Sequence, residues 1–212
     1  MNIILAGIIV ANVVVSYKGF NDLSFFRKYE FHVGSIRSGE QIRMFSSGFL
    51  HVDMMHLIFN MLTLYFFAPT VIDNLHAFSF ILIYFGSLIF GNLLTMMFHK
   101  NDYSYRAVGA SGAVMGVLYS SILLEPNNEL LIYGVIPIQG YIFGILYLLY
   151  SIYGMKAKND NIGHTAHFGG AIGGYLITLI KQPSLISEHT FIVILLLLPI
   201  IILFGMAKLG KL

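Results

Sequence analysis

Residues 161–180 read NIGHTAHFGGAIGGYLITLI. This stretch contains no Asp, Glu, Lys or Arg, and its length is close to the ~20 residues with which an α-helix crosses the hydrocarbon core of a membrane. Gly170 and Gly174 are four residues apart, so they lie on one helix face. Glycines at this spacing let two membrane helices approach closely. The stretch therefore predicts a transmembrane helix that packs tightly against another helix.

Other uncharged stretches of similar length occur along the chain, at residues 1–17, 54–72, 74–99, 107–124, 130–155 and 189–207. The chain is 57% hydrophobic and only 10% charged, whereas a soluble domain carries roughly 25% charged residues. A very apolar soluble all-α domain is the alternative, but so few charges cannot cover its surface. Helices satisfy their own backbone hydrogen bonds in lipid. We therefore predict an all-α, polytopic membrane helix bundle.

Composition also limits the possible partners and cofactors. The chain has no cysteine, which excludes disulfides, cysteine metal ligands and thiol catalysis. Its net charge of +2, without a Lys/Arg tract, gives no reason to expect nucleic acid as a partner. Residues 1–17 could be a signal peptide, but no basic residue precedes them and no cleavage site follows. We interpret them as a retained first span.

The best partner for the glycine face of residues 161–180 is the start of the fourth stretch, Gly109-Ala110-Ser111-Gly112 followed by Gly116. A serine between glycines is most simply a small packing residue. However, the N-terminus of a helix offers unpaired N–H groups and a positive dipole, which would stabilise an oxyanion formed beside Ser111. Ser111 is therefore a candidate nucleophile.

His167 lies on the same helix face as Gly170 and Gly174. The contact that packs the two helices would therefore also bring His167 toward Ser111. A neutral imidazole can take the serine proton during attack on a carbonyl, which makes His167 the candidate base. His164 is one turn nearer the helix start, and we expect it at the water boundary.

His56 and Asn60 are four residues apart at the start of the second stretch and face the same way. An Asn in a membrane helix often only bonds a neighbouring helix. An Asn amide and a His N–H are also suitable donors to an oxyanion.

Other membrane protease chemistries find less support. The chain has no His-Glu-x-x-His zinc motif. Asp53 and Asp73 lie only at segment ends, so two carboxylates that share a site are not expected. A histidine metal site would have no acidic or thiol ligand to support it; its members would be His51, His56, His164 and His167. A Ser–His dyad without metal or cofactor is the chemistry left, and no carboxylate candidate for a third member is evident.

Two further expectations concern the second half of the chain. The residue before a proline disfavours helix, so the fifth helix should begin near Pro137–Ile138 and run through Tyr150, with residues 127–136 as a loop. The segment 190–207 is almost purely aliphatic and aromatic. We expect it to be a peripheral helix that faces lipid.

These motifs together resemble the rhomboid family of intramembrane serine proteases, over residues of about 3 to 180. His51 to Asn60 match the family's His-x4-His-x3-Asn, residues 109–112 its Gly-x-Ser-Gly, and residues 166–174 its Ala-His-x-x-Gly-x-x-x-Gly. Glu40 to Arg43 match the loop before the second helix.

The resemblance implies a six-helix rhomboid core at residues 1–181, followed by a linker and one extra C-terminal transmembrane helix at 182–212. It implies Ser111 as nucleophile, His167 as general base, and an oxyanion site made by His56, Asn60 and the Ser111 N–H. Arg43 would support the first loop. The implied partners are the lipid bilayer and single-span membrane proteins, which would be cleaved in their transmembrane helices, with the plasma membrane as the expected location.

The sequence departs from the family pattern at two positions near the motifs. Ile42 replaces an aromatic before Arg43, which should cost only an anchor at the membrane interface. Met115 stands one turn after Ser111, where many members have an aromatic against the base. We therefore expect His167 to be less firmly oriented than in those members.

The family orientation places the N-terminus in the cytoplasm. Of the 12 Lys and Arg residues, all but Lys181 would then lie outside, whereas the positive-inside rule predicts the opposite orientation. We expect the family orientation.

Two other function classes stay open. A non-proteolytic rhomboid-like protein would bind membrane helices for trafficking or degradation, although such relatives typically lack the Ser or the His. A channel or transporter would need a polar path across several helices, whereas the polar groups here cluster near one end of the second, fourth and sixth stretches.

Overall fold

The computed structural model describes residues 2–132, 135–157 and 162–212. Within them the helices are α1 (Ile3–Asn21), α2 (Leu23–Tyr29), α3 (Val33–Arg37), α4 (Arg43–Ser46), α5 (Met54–Phe98), α6 (Ser111–Leu124), α7 (Gly140–Ala157), α8 (His164–Lys181), α9 (Leu185–Glu188) and α10 (Thr190–Lys208). The strands are β1 (Phe31–His32), β2 (Arg106–Ala107), β3 (Glu129–Ile132) and β4 (Ile136–Gln139). The predicted all-α membrane bundle is confirmed, with two short antiparallel strand pairs added.

In the described part of the chain, α1, α5 and α10 are long and apolar enough to cross a membrane. Helix α5 has 45 residues and contains two spans, because its backbone leaves helical geometry at His76, with φ 64° and ψ 163°. Asn74 contacts Glu125 at the end of α6, and Lys181 at the end of α8 lies over Phe78. Both ends of α5 lie at the opposite end of the bundle, so its two halves run antiparallel on either side of His76.

Helix α6 is short and lies at the centre of the bundle. It has 14 residues, which corresponds to a length of about 21 Å, less than the ~30 Å thickness of the hydrocarbon core. All its residues after Ser111 are buried. A central helix of this length cannot reach both membrane surfaces, so Ser111, at its N-terminus, can lie below the surface.

Glycines bring three helices into backbone contact around α6. A Cβ at Gly170 would overlap the carbonyl of Gly112, and a Cβ at Gly174 would overlap the carbonyl of Gly116. The second half of α5 approaches in the same way, since a Cβ at Gly91 would lie 2.6 Å from the carbonyl oxygen of Ala166 on α8. The predicted packing of the fourth and sixth segments is therefore confirmed, and we call α6, α8 and the second half of α5 the glycine core.

The start of the helix in the fifth apolar stretch, which is α7, was predicted wrongly. Helix α7 begins at Gly140 instead of Pro137, because Pro137 belongs to β4 and pairs with Leu131 of β3. Proline cannot donate a backbone hydrogen bond but is tolerated in a two-stranded ribbon. The stretch predicted as a loop, 127–136, is therefore largely a hairpin, and its residues 133 and 134 lie outside the described residues.

Helix α10 lies at the periphery and packs mainly against α7. Its buried residues form one face, while Phe191, Ile194 and Ile201 are exposed. Tyr175 of α8 donates a hydrogen bond to the carbonyl of Val193 (3.0 Å), which adds a second point of attachment. The expected division into a core at 1–181 and an extra helix at 182–212 stays a prediction.

Candidate active site

The backbone before α6 turns sharply to present Ser111. Gly109 has φ 136°, a conformation that favours glycine, and its N–H donates to the carbonyl of Ser47 (3.0 Å). Helix α6 has no side-chain cap at Ala110, and its first backbone hydrogen bond runs from Val114 to Ala110. The N–H groups that precede this bond, beginning with that of Ser111, therefore point toward the site as donors.

The structure brings Ser111 and His167 together. Ser111 Oγ lies 2.6 Å from His167 Nε2, a short hydrogen-bond distance. The two residues belong to helices in backbone contact at Gly112 and Gly170, as the shared glycine face predicted. The contact between α6 and α8 therefore fixes the distance between the hydroxyl and the imidazole.

The other nitrogen of the imidazole has a partner that the sequence analysis missed. His167 Nδ1 lies 2.7 Å from the hydroxyl oxygen of Tyr147 on α7. The two rings have centroids 5.9 Å apart and planes inclined by 30°. The hydroxyl and the ring of Tyr147 both contact the imidazole. An aromatic residue therefore does lie against His167, but it comes from α7 and not from position 115 of α6.

His56 lies beside Gly109, close to Ser111. An ideal Cβ at Gly109 would lie 3.0 Å from His56 Nε2 and 3.5 Å from Ser111 Oγ, so both side chains border the same small space. Asn60 is buried one turn further along α5, and its amide nitrogen donates to the carbonyl of His56 (2.9 Å). That bond uses one of its two N–H groups. The structure thus places His56 beside Ser111, and Asn60 on the same helix face.

A buried hydrogen-bond chain holds the turn at Ala110 from behind. The Ala110 N–H donates to His51 Nε2 (3.4 Å), so His51 carries its proton on Nδ1, which lies 2.8 Å from Ser16 Oγ. Ser16 in turn donates to the carbonyl of Phe49 (2.8 Å). Burial lowers the pKa of His51 to about 3, with neighbouring His56 as the second cause. His51 is therefore neutral at ordinary pH and acts as an acceptor for the backbone.

His164 was expected at the water boundary, but the structure does not place it there. Its side chain is buried, with only 4% of the residue exposed, because α7 passes so close that a Cβ at Gly154 would overlap the His164 ring. Its ring meets that of Tyr150 edge-on at 5.3 Å. Within residues 2–132, 135–157 and 162–212, no group of three or more His, Asp or Glu could hold a metal ion, so the alternative of a histidine metal site gains no support.

The first loop connects to the strand that leads into the site. Strand β1 pairs with β2, and the buried carboxylate of Glu30 forms ion pairs with Arg106 and Arg27. Arg43 donates to the carbonyls of Arg27 (2.7 Å) and Glu30 (3.0 Å) and to the carboxylate of Glu40 (2.7 Å). Arg43 therefore supports the first loop as the resemblance implied.

A family model for the rhomboid domain matches residues 38–184. The chain belongs to the rhomboid family. The match covers the rhomboid motif residues His51, His56, Asn60, Ser111 and His167, and also Tyr147. It excludes α1 and α10, so it begins later than the resemblance suggested.

Individual rhomboid relatives come from bacteria and from mitochondria. "Putative rhomboid protease YdcA" of Bacillus subtilis is 35% identical over 68% of this chain and 69% of its own length. "Rhomboid protease GluP" of the same species is 29% identical over 66% of this chain and 26% of its own. "RHOMBOID-like protein 12, mitochondrial" of Arabidopsis thaliana is 25% identical over 79% of this chain and 55% of its own. The chain thus spans little more than half the length of the plant relative. This rhomboid is an integral membrane protein and is related to proteases.

Proposed function

We propose that this rhomboid is an intramembrane serine endopeptidase that cleaves transmembrane helices of single-span membrane proteins. The observation that carries the proposal is the 2.6 Å contact between Ser111 Oγ and His167 Nε2 at the half-buried N-terminus of a helix too short to cross the membrane. A polar pair at such depth is costly and is functional by default.

The geometry supports the usual sequence of acyl transfer. Ser111 Oγ attacks the carbonyl carbon of the scissile bond while its proton passes to His167 Nε2. The tetrahedral adduct collapses, the C–N bond breaks, and the leaving amine takes that proton. Water then attacks the acyl carbon and gives one proton to His167, after which the bond from that carbon to Ser111 Oγ breaks and the carboxylic acid product is released. The proton on His167 returns to Ser111 Oγ, which restores the starting state.

The oxyanion of the adduct would be stabilised by donors around Gly109. The Ser111 N–H lies at the positive end of α6, and His56 borders the same space. The second N–H of the Asn60 amide would contribute from one turn away. Such preorganised donors are worth more in a site that excludes water than in water itself, and the loss of one can cost ~10²–10³ in rate.

The substrate must present extended backbone to Ser111, so helices that unwind easily near the scissile bond should be preferred. We propose the plasma membrane as the location, because identity to the Bacillus subtilis relative (35%) is higher than to the plant mitochondrial one (25%). We also propose that residues 1–181 form the proteolytic core and that 182–212 add a linker and α10.

Cleavage of a single-span model substrate by reconstituted protein tests the proposal. Ser111→Ala and His167→Ala should each abolish cleavage while the protein level stays unchanged. Ser187→Ala and His189→Ala are the matched controls, because both residues lie far from the site, near the start of α10, and both variants should cleave normally. Cleavage at the wild-type rate by the Ser111→Ala protein would exclude Ser111 as nucleophile.

Labelling by a fluorophosphonate separates a protease from a non-proteolytic rhomboid-like protein. The probe should label the wild type and not Ser111→Ala. Labelling in intact compared with permeabilised cells also tests the orientation, since the family orientation predicts access from outside. A protein that binds membrane helices but is never labelled would be the non-proteolytic alternative.

A further inference from the structure

The imidazole of a serine hydrolase base must be held in one tautomer. For His167 Nε2 to accept the Ser111 proton, its own proton must be on Nδ1. That Nδ1 lies 2.7 Å from the hydroxyl oxygen of Tyr147, and in this tautomer the Nδ1–H donates to the phenol oxygen. The opposite tautomer would leave Nε2 with a hydrogen, which cannot take a proton from Ser111.

Helix α7 holds Tyr147 between two points of close approach. Three residues before it, Gly144 lies against α6, where the Tyr119 hydroxyl donates to the Gly144 carbonyl and an added Cβ would lie 3.4 Å from that ring. Seven residues after it, Gly154 lies against His164 of α8. The Tyr147 ring also stacks on Phe143, with centroids 5.9 Å apart. These contacts fix the height and rotation of Tyr147 relative to His167.

We propose that Tyr147 is the positioning residue of His167, which holds the imidazole in the Nδ1-protonated tautomer and in the plane that directs Nε2 to Ser111. This inference rests on the proposed proteolytic function. Met115, at the place one turn after Ser111, is buried but carries no hydrogen-bonding group of this strength. The orienting group therefore comes from α7 instead of α6.

A phenol should contribute less than the carboxylate of a serine protease triad. A carboxylate also stabilises the imidazolium, and changing it to an amide reduces turnover by ~10⁴. Tyr147 offers a neutral acceptor, so the loss of its hydroxyl removes the orientation and little electrostatic stabilisation. A single neutral hydrogen bond of ordinary strength corresponds to about a tenfold change in rate.

The kinetic test compares Tyr147→Phe with Tyr153→Phe, a loss of the same hydroxyl on the exposed side of α7. Tyr147→Phe keeps the stacked ring, so the fold should be retained. We expect kcat to fall about tenfold, with KM within twofold of wild type and an unchanged unfolding temperature. Tyr153→Phe should match the wild type in all three. An unchanged kcat in Tyr147→Phe, or a fall that is explained by lower stability, overturns the inference.

A second measurement does not depend on turnover. In protein labelled with ¹⁵N-histidine in detergent, the His167 signals are identified by their loss in His167→Asn. They should show a protonated Nδ1 in the wild type and in Tyr153→Phe, and a mixture of tautomers in Tyr147→Phe. The same tautomer in all three proteins overturns the positioning role. If the wild type cleaves nothing, but Tyr147→Phe still changes the tautomer of His167, the proposed function fails while the positioning role of Tyr147 stands.

Discussion

The helices of the glycine core pack against one another in a different way from that in which helix α7 packs against α6 and α8. Within the core, α6 and α8 approach each other backbone to backbone, between Gly170 and Gly112 and between Gly174 and Gly116. Helix α7 approaches through side chains, with Tyr119 against Gly144 and His164 against Gly154. A backbone contact cannot yield without moving a whole helix, whereas a side-chain contact can relax by a rotamer change.

This difference separates two parts of the candidate chemistry. Ser111 and His167 belong to helices in backbone contact, so their distance is set by the most rigid part of the bundle. Tyr147 belongs to α7, which is held by side chains and by α10. The distance between nucleophile and base should therefore withstand changes that affect the orientation of the base.

Among substitutions that test this difference, the largest effect should follow from Gly170→Ala. The added methyl would overlap the Gly112 carbonyl, so α6 and α8 must separate and Ser111 must move from His167. A misplacement of ~1 Å can cost 10²-fold in rate, and an overfilled core costs about 1–3 kcal/mol in stability. Cleavage assays and circular dichroism melting in detergent measure both effects. Gly205→Ala is the control, because nothing lies within 4 Å of its added Cβ, and it should behave as wild type. Equal behaviour of the two variants would contradict the rigid core.

Gly154→Ala should have a smaller effect, although its methyl would overlap the His164 ring just as severely. The His164 side chain can rotate away, and α7 can shift slightly. We expect about a tenfold loss of kcat through Tyr147, with stability reduced by about 1 kcal/mol. Kinetics on both glycine variants should show the larger loss at Gly170. A larger loss at Gly154 would mean that α7, and not the core, sets the geometry of the site.

Acid should weaken the support of the turn before Ser111. In the unfolded chain His51 binds a proton below pH ~6.5, but in the folded protein its pKa is about 3. Stability is therefore lost as the pH falls from 6.5 toward 3. His56 and Asp53 are the titratable groups that influence His51, and both are retained in His51→Gln. We expect the unfolding temperature of the wild type to fall more steeply between pH 7 and pH 4 than that of His51→Gln. Parallel curves would show that His51 does not couple folding to protonation.

The smallest effect should come from Tyr175→Phe, which removes the hydrogen bond from α8 to Val193 of α10. The cost is about 1 kcal/mol or less, because the ring stays in place. The unfolding temperature should fall slightly and kcat should stay within twofold of wild type. A marked loss of kcat would show that α10 acts on α7 more strongly than this packing indicates.

The sequence predicted the relation of Ser111 to His167 because that relation depends on helix periodicity. His167, Gly170 and Gly174 recur at steps of three and four, so one face carries both the packing contact and the base. For the second segment, periodicity predicted only that His56 and Asn60 share a face, and it was the resemblance to rhomboids that implied His56 beside Ser111. Contacts between glycine backbones leave few alternatives, which is why this part of the site could be inferred.

Tyr147 was missed because α7 contains several tyrosines, and the sequence alone does not say which of them contacts His167. A signal was nevertheless present, since Gly140, Gly144, Ser151 and Gly154 form a face of small residues, and Tyr147 is the large polar residue that lies on it. The start of α7 was misjudged because proline marks both helix beginnings and edge strands. The burial of His164 could not be predicted, because it depends on how closely α7 passes over it.

The chain reversal at His76 determines how the second half of α5 is rotated about its own axis. A single residue in a backbone region that non-glycine residues rarely adopt joins two helices with no flexible loop to absorb a change in length. One inserted residue after His76 would turn the second half of α5 by about 100°. Asn92, which donates to the carbonyl of Met44 (2.7 Å), would then face lipid, and Gly91 would leave Ala166. The turn at His76, at the far end of the bundle, thus sets which face of the second half of α5 points toward the site.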